Sequence, residues 1–343
     1  MSESVYQRIA DELSQRILNG SLAAETRLPT TKELAASYGV AINTVHQSMK
    51  VLADRGLVVR QPKRGTFVSR GASATSIAIV LGSDVFADDD KSFHRVLIGH
   101  LQKILAEDGW ATTVHLAARP ESRRHVLEGV YAEMTAGRSR AALLVSSDEL
   151  VGEFESRCDA PWSYTQASID TDDLAFRCVD HLLTRGHHDI VLLADWSFDD
   201  TDPRAIAAKA GALRAFQAHQ RTPPPDAFCY RGCGARAGMQ AVEQMRSQRG
   251  TMPAAIACLN DRTTLGLVMG ITAHGLRLGT DLALISHANV GIDILSPVPL
   301  TTIAYDPTEF ARAAWHNLQL AMAGKRRLDN HLVTGHLMPG NSC

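Results

Sequence analysis

The sequence predicts an α/β protein in two parts: a small helical module closed by two strands, then two doubly wound parallel sheets. Three observations carry this. The first seventy residues divide into three helical stretches and two β-type runs joined by a basic turn. From residue 77 onward, short continuous apolar runs alternate with stretches of helical length, the pattern of parallel strands covered on both faces. A chain of 343 residues, 45% hydrophobic and 21% charged, is also too long for one ordinary core, so two or three domains are expected.

The bulk numbers narrow the function classes. No apolar run reaches the ~18–20 residues that span a bilayer. The opening stretch MSESVYQRIADE is acidic and helical without a signal-peptide pattern, so a cytoplasmic location is expected. Cysteines stand at 158, 178, 229, 233, 258 and 343. Only Cys229 and Cys233 are close, and no second pair or nearby His completes a zinc spacing, so free thiols and no structural metal are expected. Asp88, Asp89 and Asp90 are adjacent carboxylates that point in different directions, with no calcium-loop spacing after them, and read as a solvated loop. The net charge of −2 hides an asymmetry: residues 1–70 hold ten Lys/Arg against six Asp/Glu, and the remainder 25 against 31. A modestly basic module on an acidic body suits local phosphate contact.

In order along the module, Val5, Ile9, Leu13 and Ile17 recur at helical spacing up to Gly20. Pro29 leads into Thr30 and Glu33, a capping box for a short second helix that ends near Tyr38-Gly39. A third helix runs from about Ile42 to Arg55 and is closed by Gly56. At 100° per residue, Val45, Met49 and Leu52 share one side with Thr44 and Ser48. Ile42, Asn43, His46, Gln47 and Lys50 share the other, a face with the chemistry to enter a major groove. Leu57-Val58-Val59 and Thr66-Phe67-Val68 flank Gln61-Pro62-Lys63-Arg64-Gly65, a basic turn suited to backbone or minor-groove contact. This is the layout of a winged helix-turn-helix, and it points to duplex DNA.

Over about residues 4–69 the segment resembles the DNA-binding domain of GntR-family bacterial transcription regulators. Leu28-Pro29-Thr30, Glu33-Leu34, Gly39-Val40, Thr44-Val45 and Gly65-Thr66-Phe67-Val68 carry the resemblance. With the helical wheel, it makes Thr30, Thr31, Lys32, Asn43, Thr44, His46, Gln47, Lys50, Lys63, Arg64 and Gly65 the candidate DNA-contacting residues. The chain departs from the family at four places. Ile42 and His46 stand where Arg is usual, Ala41 where a Ser cap is usual, and Lys32 where Arg is frequent. The family's operator therefore does not transfer, and fewer fixed cations imply weaker or more shape-dependent readout.

Residues 70–76 are small and polar and read as a flexible linker. The expected organisation is a winged helix-turn-helix at 1–69, a linker at 70–76, and an effector-binding and dimerisation domain at 77–343. Strands are expected at 77–82, 111–116, 141–146, 189–194, 226–230, 255–259, 282–286 and 300–304. Helices are expected at 92–108, 121–137, 172–185, 204–219, 234–247, 262–274 and 307–323.

This second part resembles the sensor domain of LacI-type repressors, itself similar to periplasmic sugar-binding proteins. The residues that carry it are His181-Leu182-Leu183-Thr184-Arg185-Gly186-His187, Cys258-Leu259-Asn260-Asp261 with Leu265-Gly266, the run from His274 to Ile285, and Pro299-Leu300-Thr301-Thr302-Ile303 leading to Asp306. A GntR-type module on such a sensor resembles the arabinose-repressor branch. The resemblance implies two periplasmic-binding-protein-like lobes joined by three crossovers, one from about 76–165 plus 291–322, the other from about 166–290 plus the C-terminal tail.

Ligands of such sheets sit at the carboxyl ends of strands. Ser83 and Asp84 follow the first strand, Ser146, Ser147 and Asp148 the third, Asp195 and Trp196 the fourth, and Asn260 and Asp261 the sixth. Carboxylates and amides take paired hydroxyls, and an aromatic face covers a ring; an Asp after a strand is equally an ordinary helix N-cap. Two anchors are displaced. Where the family has Arg three residues before Gly211 the chain has Ala208, with Lys209 beside it and Arg204 a turn away. The family's Asp after strand 282–286 falls near Ala288 or Asn289. The candidate effector residues are Ser83, Asp84, Asp148, Trp196, Arg204, Lys209, Asn260, Asp261 and Asn289.

Together these features predict a DNA-binding transcription regulator, expected to be a repressor. It would act as a homodimer on operator DNA under control of a sugar or related metabolite. The alternative left open is a DNA-binding dimer whose sensor has lost its ligand. No catalytic constellation with motif-grade spacing appears, so neither an enzyme nor a cofactor is expected. Lys325-Arg326-Arg327 reads as a charge cluster at a helix C-terminus.

Overall fold

The computed structural model describes residues 4–18, 21–69, 76–82, 92–116, 122–135, 138–145, 151–152, 154, 156, 161–164, 167–198, 202–230, 232–324 and 331–343. The linker 70–75, Ser83, Asp84, the three aspartates at 88–90, Ser146–Asp148, Cys158 and Lys325–Arg327 lie outside them.

The N-terminal module forms as its periodicity predicts. Helix α1 (Val5–Leu18) buries Ile9, Leu13 and Ile17. These pack with Leu28, Leu52, Leu57, Val58 and Val68 in one cluster, each large side chain contributing ~1.5–3 kcal/mol on burial. Helix α2 (Thr31–Tyr38) starts with the complete capping box: the Glu33 amide donates to Thr30 Oγ1 at 3.3 Å and the Thr30 amide to Glu33 Oε2 at 2.7 Å. Helix α3 (Ile42–Asp54) starts at Ala41, whose side chain can give no cap. Strands β1 (Val58–Gln61) and β2 (Gly65–Val68) pair antiparallel, Gln61 opposite Gly65, and form the wing.

The chain divides into two compact units: residues 1–166 with 310–330, and residues 167–309 with 331–343. Beyond the module, the first unit holds a sheet of order β4-β3-β5-β6, all parallel: β3 (Ser76–Leu81), β4 (Ala111–Leu116), β5 (Ser139–Val145) and β6 (Trp162–Tyr164). Strands β3 and β5 are buried almost end to end, as expected of strands covered on both faces. Helices α4 (Ser92–Glu107) and α5 (Arg123–Thr135) are its crossovers.

The second unit begins with β7 (Ala167–Ile169) and helix α6 (Thr171–Thr184). Then follow β8 (Ile190–Ala194), α7 (Pro203–Ala218), β9 (Phe228–Tyr230), α8 (Ala235–Arg249), β10 (Ala255–Cys258), α9 (Asp261–Ala273), β11 (Ala283–Asn289) and β12 (Thr301–Tyr305). Helix α10 (Pro307–Met322) leads back to the first unit, and β13 (His331–Val333) and β14 (His336–Met338) close the chain. The main sheet has order β14-β12-β11-β10-β8-β9, with only β14 antiparallel. Helices α8 and α9 cover one face, packing Val242, Met245, Leu267 and Ile271 on Val191, Ile256 and Leu284. Helices α6 and α7 approach so closely that a Cβ on Gly211 would lie 2.0 Å from the Asp172 carbonyl oxygen, so only glycine fits there.

All eight strands and seven helices expected beyond residue 77 form within two or three residues of their expected ends. Strands β6, β7, β13 and β14 were not expected, because three residues are too few to show a period. One boundary differs. Residues 291–309 belong to the second unit, not the first, because β12 pairs in parallel with β11.

Candidate nucleic-acid and effector sites

Helix α3 turns as its wheel predicts. Val45, Ser48 and Leu52 are buried, whereas Ile42, Asn43, His46, Gln47 and Lys50 are exposed and Thr44 is half-buried. The Ser48 hydroxyl, 2.8 Å from the Tyr6 carbonyl oxygen, pins the buried side to α1. The exposed side meets the wing across a groove of about 500 Å³. Of the expected residues, Thr30, Thr31, His46, Lys50, Lys63 and Gly65 line it. Lys32, Asn43, Thr44, Gln47 and Arg64 do not; all but Thr44 are exposed, and the Arg64 guanidinium carbon sits 5.9 Å from the Phe67 ring centroid.

The groove adds two cations that the motifs did not flag, Arg27 and Arg60. A Cβ on Gly65 would lie 2.9 Å from Arg27 Nε, so the glycine lets the Arg27 guanidinium lie against the wing. Arg60 shares the face of β1 with buried Val58 and is itself exposed, a placement that strand alternation alone could have found. Four cations and no carboxylate line this surface, an arrangement that attracts a phosphate backbone.

The second cluster forms at the carboxyl ends of β8, β10 and β11. Asn260 caps α9, accepting from the Arg262 and Thr263 amides at 3.1 and 2.9 Å, and its Nδ2 donates to Asp195 Oδ2 at 3.0 Å. The bland N-cap role and a place in the polar cluster therefore coincide in this residue. Asp261 is buried and accepts from Asn289 Nδ2 at 2.9 Å. Trp196 follows Asp195, and the Arg204 guanidinium carbon lies 5.1 Å from its ring centroid while pairing with Asp202 at 2.7 Å. The structure thus brings together Trp196, Arg204, Asn260, Asp261 and Asn289. Lys209 is half-buried on α7, and Ala208, at the position of the displaced anchor, is fully buried. Ser83, Asp84 and Asp148 lie outside the described residues.

Several groups here were not expected. His287 and Tyr305 come from neighbouring strands, their ring centroids 5.3 Å apart. Cys233 Sγ lies 4.0 Å from Asn260 Oδ1. Both ring nitrogens of His287, the Tyr305 hydroxyl, Asn289 Oδ1, Asp195 Oδ1 and Trp196 Nε1 are buried without a hydrogen-bond partner among the described residues. A buried polar atom left unpaired costs ~1–3 kcal/mol, and these six lie toward the carboxyl ends of the strands. Burial pushes the Asp195 carboxyl above its ordinary range; Asp261 adds to this, and Arg204 and the Cys233 thiol oppose it. Burial pushes the His287 imidazole down, against the pull of Asp261. Unpaired donors and acceptors of this kind are complementary to hydroxyl and amide groups.

Comparison with known proteins agrees with both halves. Residues 5–68 match the family of bacterial regulatory proteins of the gntR type, and residues 179–343 match the periplasmic binding protein-like domain. The arabinose metabolism transcriptional repressor of Geobacillus stearothermophilus is 23% identical, the match covering 94% of this chain and 92% of that protein. The transcriptional repressor NagR of Bacillus subtilis is 34% identical over 88 residues, 26% of this chain and 35% of its own. Among solved structures, a transcriptional regulator CelR–cellobiose complex superposes with a TM-score of 0.63 at 16% identity, over 92% of this chain and 100% of that one. The lac repressor dimer bound to operator and the anti-inducer ONPF superposes with a TM-score of 0.62 at 20% identity, over 78% of this chain and 94% of that one. The chain is therefore a DNA-binding transcription regulator that joins the winged helix-turn-helix of the gntR family to a periplasmic-binding-protein-like sensor domain.

Proposed function

We propose that the chain is a repressor in which residues 1–69 read operator DNA and residues 77–343 sense a small hydroxyl-rich effector. The observation that carries the DNA half is the groove between α3 and the wing, with four cations and no carboxylate. Asn43 and Gln47 supply amides that can pair with adenine, and Lys50 can meet guanine or phosphate. Arg27, Arg60 and Lys63 hold the backbone and set register. A sequence-specific operator with two half-sites calls for a homodimer, and the lac repressor relative was solved as a dimer on its operator. Such a protein works in the cytoplasm and carries out no chemistry.

The unpartnered buried groups around Asp261 support the effector half over a sensor that has lost its ligand. A sugar or sugar derivative suits them, because each hydroxyl both donates and accepts. The named relatives fit: one regulates arabinose metabolism, and one was solved with cellobiose. Control follows from differential affinity: an effector that binds one conformation better shifts the population toward it, and a coupling of ~1–3 kcal/mol changes operator affinity ~5–150-fold.

The test is a thermal-shift screen of the full chain against pentoses, hexoses, sugar acids, sugar phosphates and nucleosides. Each hit is repeated on Asp261→Ala. Stabilisation lost in the variant supports the site; stabilisation retained moves the effector elsewhere; no hit in any class favours the ligand-free dimer.

A further inference from the structure

The last turn of α3 is closed on itself. The amides of Arg55, Gly56 and Leu57 return to the carbonyls of Val51, Ala53 and Leu52. Gly56, at φ +63°, permits that return. The Arg55 carbonyl is taken from outside the module: Arg140 Nη2, in β5 and 85 residues further on, donates to it at 2.6 Å. Arg140 is only 7% exposed. Burial lowers its pKa, and no carboxylate among the described residues opposes this. A buried guanidinium is costly unless its protons find acceptors, and a helix C-terminus, with its partial negative charge, is a suitable one. The guanidinium lies directly against the Gly56 backbone. A Cβ there would lie 2.9 Å from Arg140 Nη2 and 3.4 Å from the Met322 carbonyl oxygen at the end of α10.

We propose that Arg140 is a positioning residue that clamps the DNA reader onto the first unit, holding α3 by the Arg55 carbonyl and so fixing how its polar face is presented. The side chain of Arg55 completes the clamp on the reader's side, pairing with Asp11 at 2.6 Å and donating to Ser14 Oγ at 2.9 Å. The carbonyl that Arg140 grips is thus tied to α1 as well as to α3. Arg140 sits where the β3–β5 register shifts, between Ser139 and Ala141, so no β3 residue stands opposite it. The clamp does not rest on the proposed function.

The test uses the full chain and needs neither operator nor effector. Amide nitrogen relaxation is measured for α2 and α3 and, as an internal standard, for β3 and β5. In the native chain all four elements should relax as one body. In Arg140→Met, α2 and α3 should relax as a free module of residues 1–69, with β3, β5 and the melting of the sheet unchanged. Arg140→Lys, which keeps a charged donor, should restore part of the slow tumbling. A reader that tumbles freely in the native chain, or stays docked in Arg140→Met, overturns the clamp. Release in Arg140→Lys as complete as in Arg140→Met overturns the role of charge at the helix end. If Arg140→Met unfolds the sheet, Gly56→Asn decides. Asn tolerates the left-handed conformation, and its Cβ displaces the guanidinium from the reader's side. Release with an intact sheet supports the clamp, and continued docking overturns it. Operator affinity and the thermal-shift hits are then measured on the same variants, so failure of the clamp and failure of the regulatory reading are separable.

Discussion

The polar face of α3 and the polar cluster at the ends of β8, β10 and β11 are built on opposite rules. On α3, Asn43, His46, Gln47 and Lys50 stand in solvent, while stability comes from the far side through Val45, Ser48 and Leu52. At the sheet ends, Asp261, His287, Asn289 and Tyr305 are buried, and two of them bond each other. Under the proposed function, the surface that enters a groove of DNA keeps its donors free, and the surface that encloses a small molecule pre-orients its donors and bears the cost of burying them. Function and stability are thus separable on α3 and entangled at the sheet.

The largest expected effect breaks the entangled side. Asp261→Ala removes the acceptor of the Asn289 amide and of the Arg262 amide. Leaving the buried Asn289 unpaired should cost ~1–3 kcal/mol of stability, read as a lower urea midpoint at unchanged slope. The same variant should lose any effector-induced stabilisation, whereas loss of binding at full stability would show that the two roles are separable here too.

Gln47→Ala breaks the other side. It should cost ~1–3 kcal/mol in affinity for a selected operator, with a stability change within ~0.5 kcal/mol. Binding titrations on duplexes selected from a random pool, beside thermal melts, check both. Equal loss on unrelated duplexes would reassign Gln47 from base to backbone contact.

A smaller effect sharpens the comparison through pH. The buried His287 holds its pKa below the ordinary 6.5, burial being the main cause. The unfolded chain therefore takes up a proton that the folded chain refuses, and stability declines as the pH falls below about 6.5. His181 and His187 are shifted the same way by burial, so His287→Gln should flatten the acid side of the melting-temperature profile only in part. An unchanged profile would mean that His287 is solvated in solution. The smallest effect is a gain. Ala41→Ser supplies the missing cap of α3 and should stabilise the module by ~1 kcal/mol, with operator preference unchanged.

Much of this was legible in the sequence. Periodicity of 3.6 or 2 residues is local, so the buried stripe of α3, the capping box at Thr30 and the core strands of both sheets could be read off neighbouring residues. The motif runs at 28–30, 65–68 and 258–261 carried the identity of both halves for the same reason. Three-residue strands such as β7 and β13 escaped because their pairing, Ala167 to His331, joins segments far apart in the chain. Arg27 escaped because its role depends on the wing folding back beside it.

By itself the sequence determined the order of elements, the face of α3 that stands in solvent, and the strand ends that carry Asn260 and Asp261, because short-range sterics and the burial of apolar stripes fix each of these. Only the tertiary structure decided that His287 and Tyr305 join that cluster, that residues 291–309 stay with the second sheet, and that Arg140 closes on the Arg55 carbonyl. The first two depend on strand register and the third on a contact across 85 residues, and no local pattern encodes which partner a buried polar group will meet.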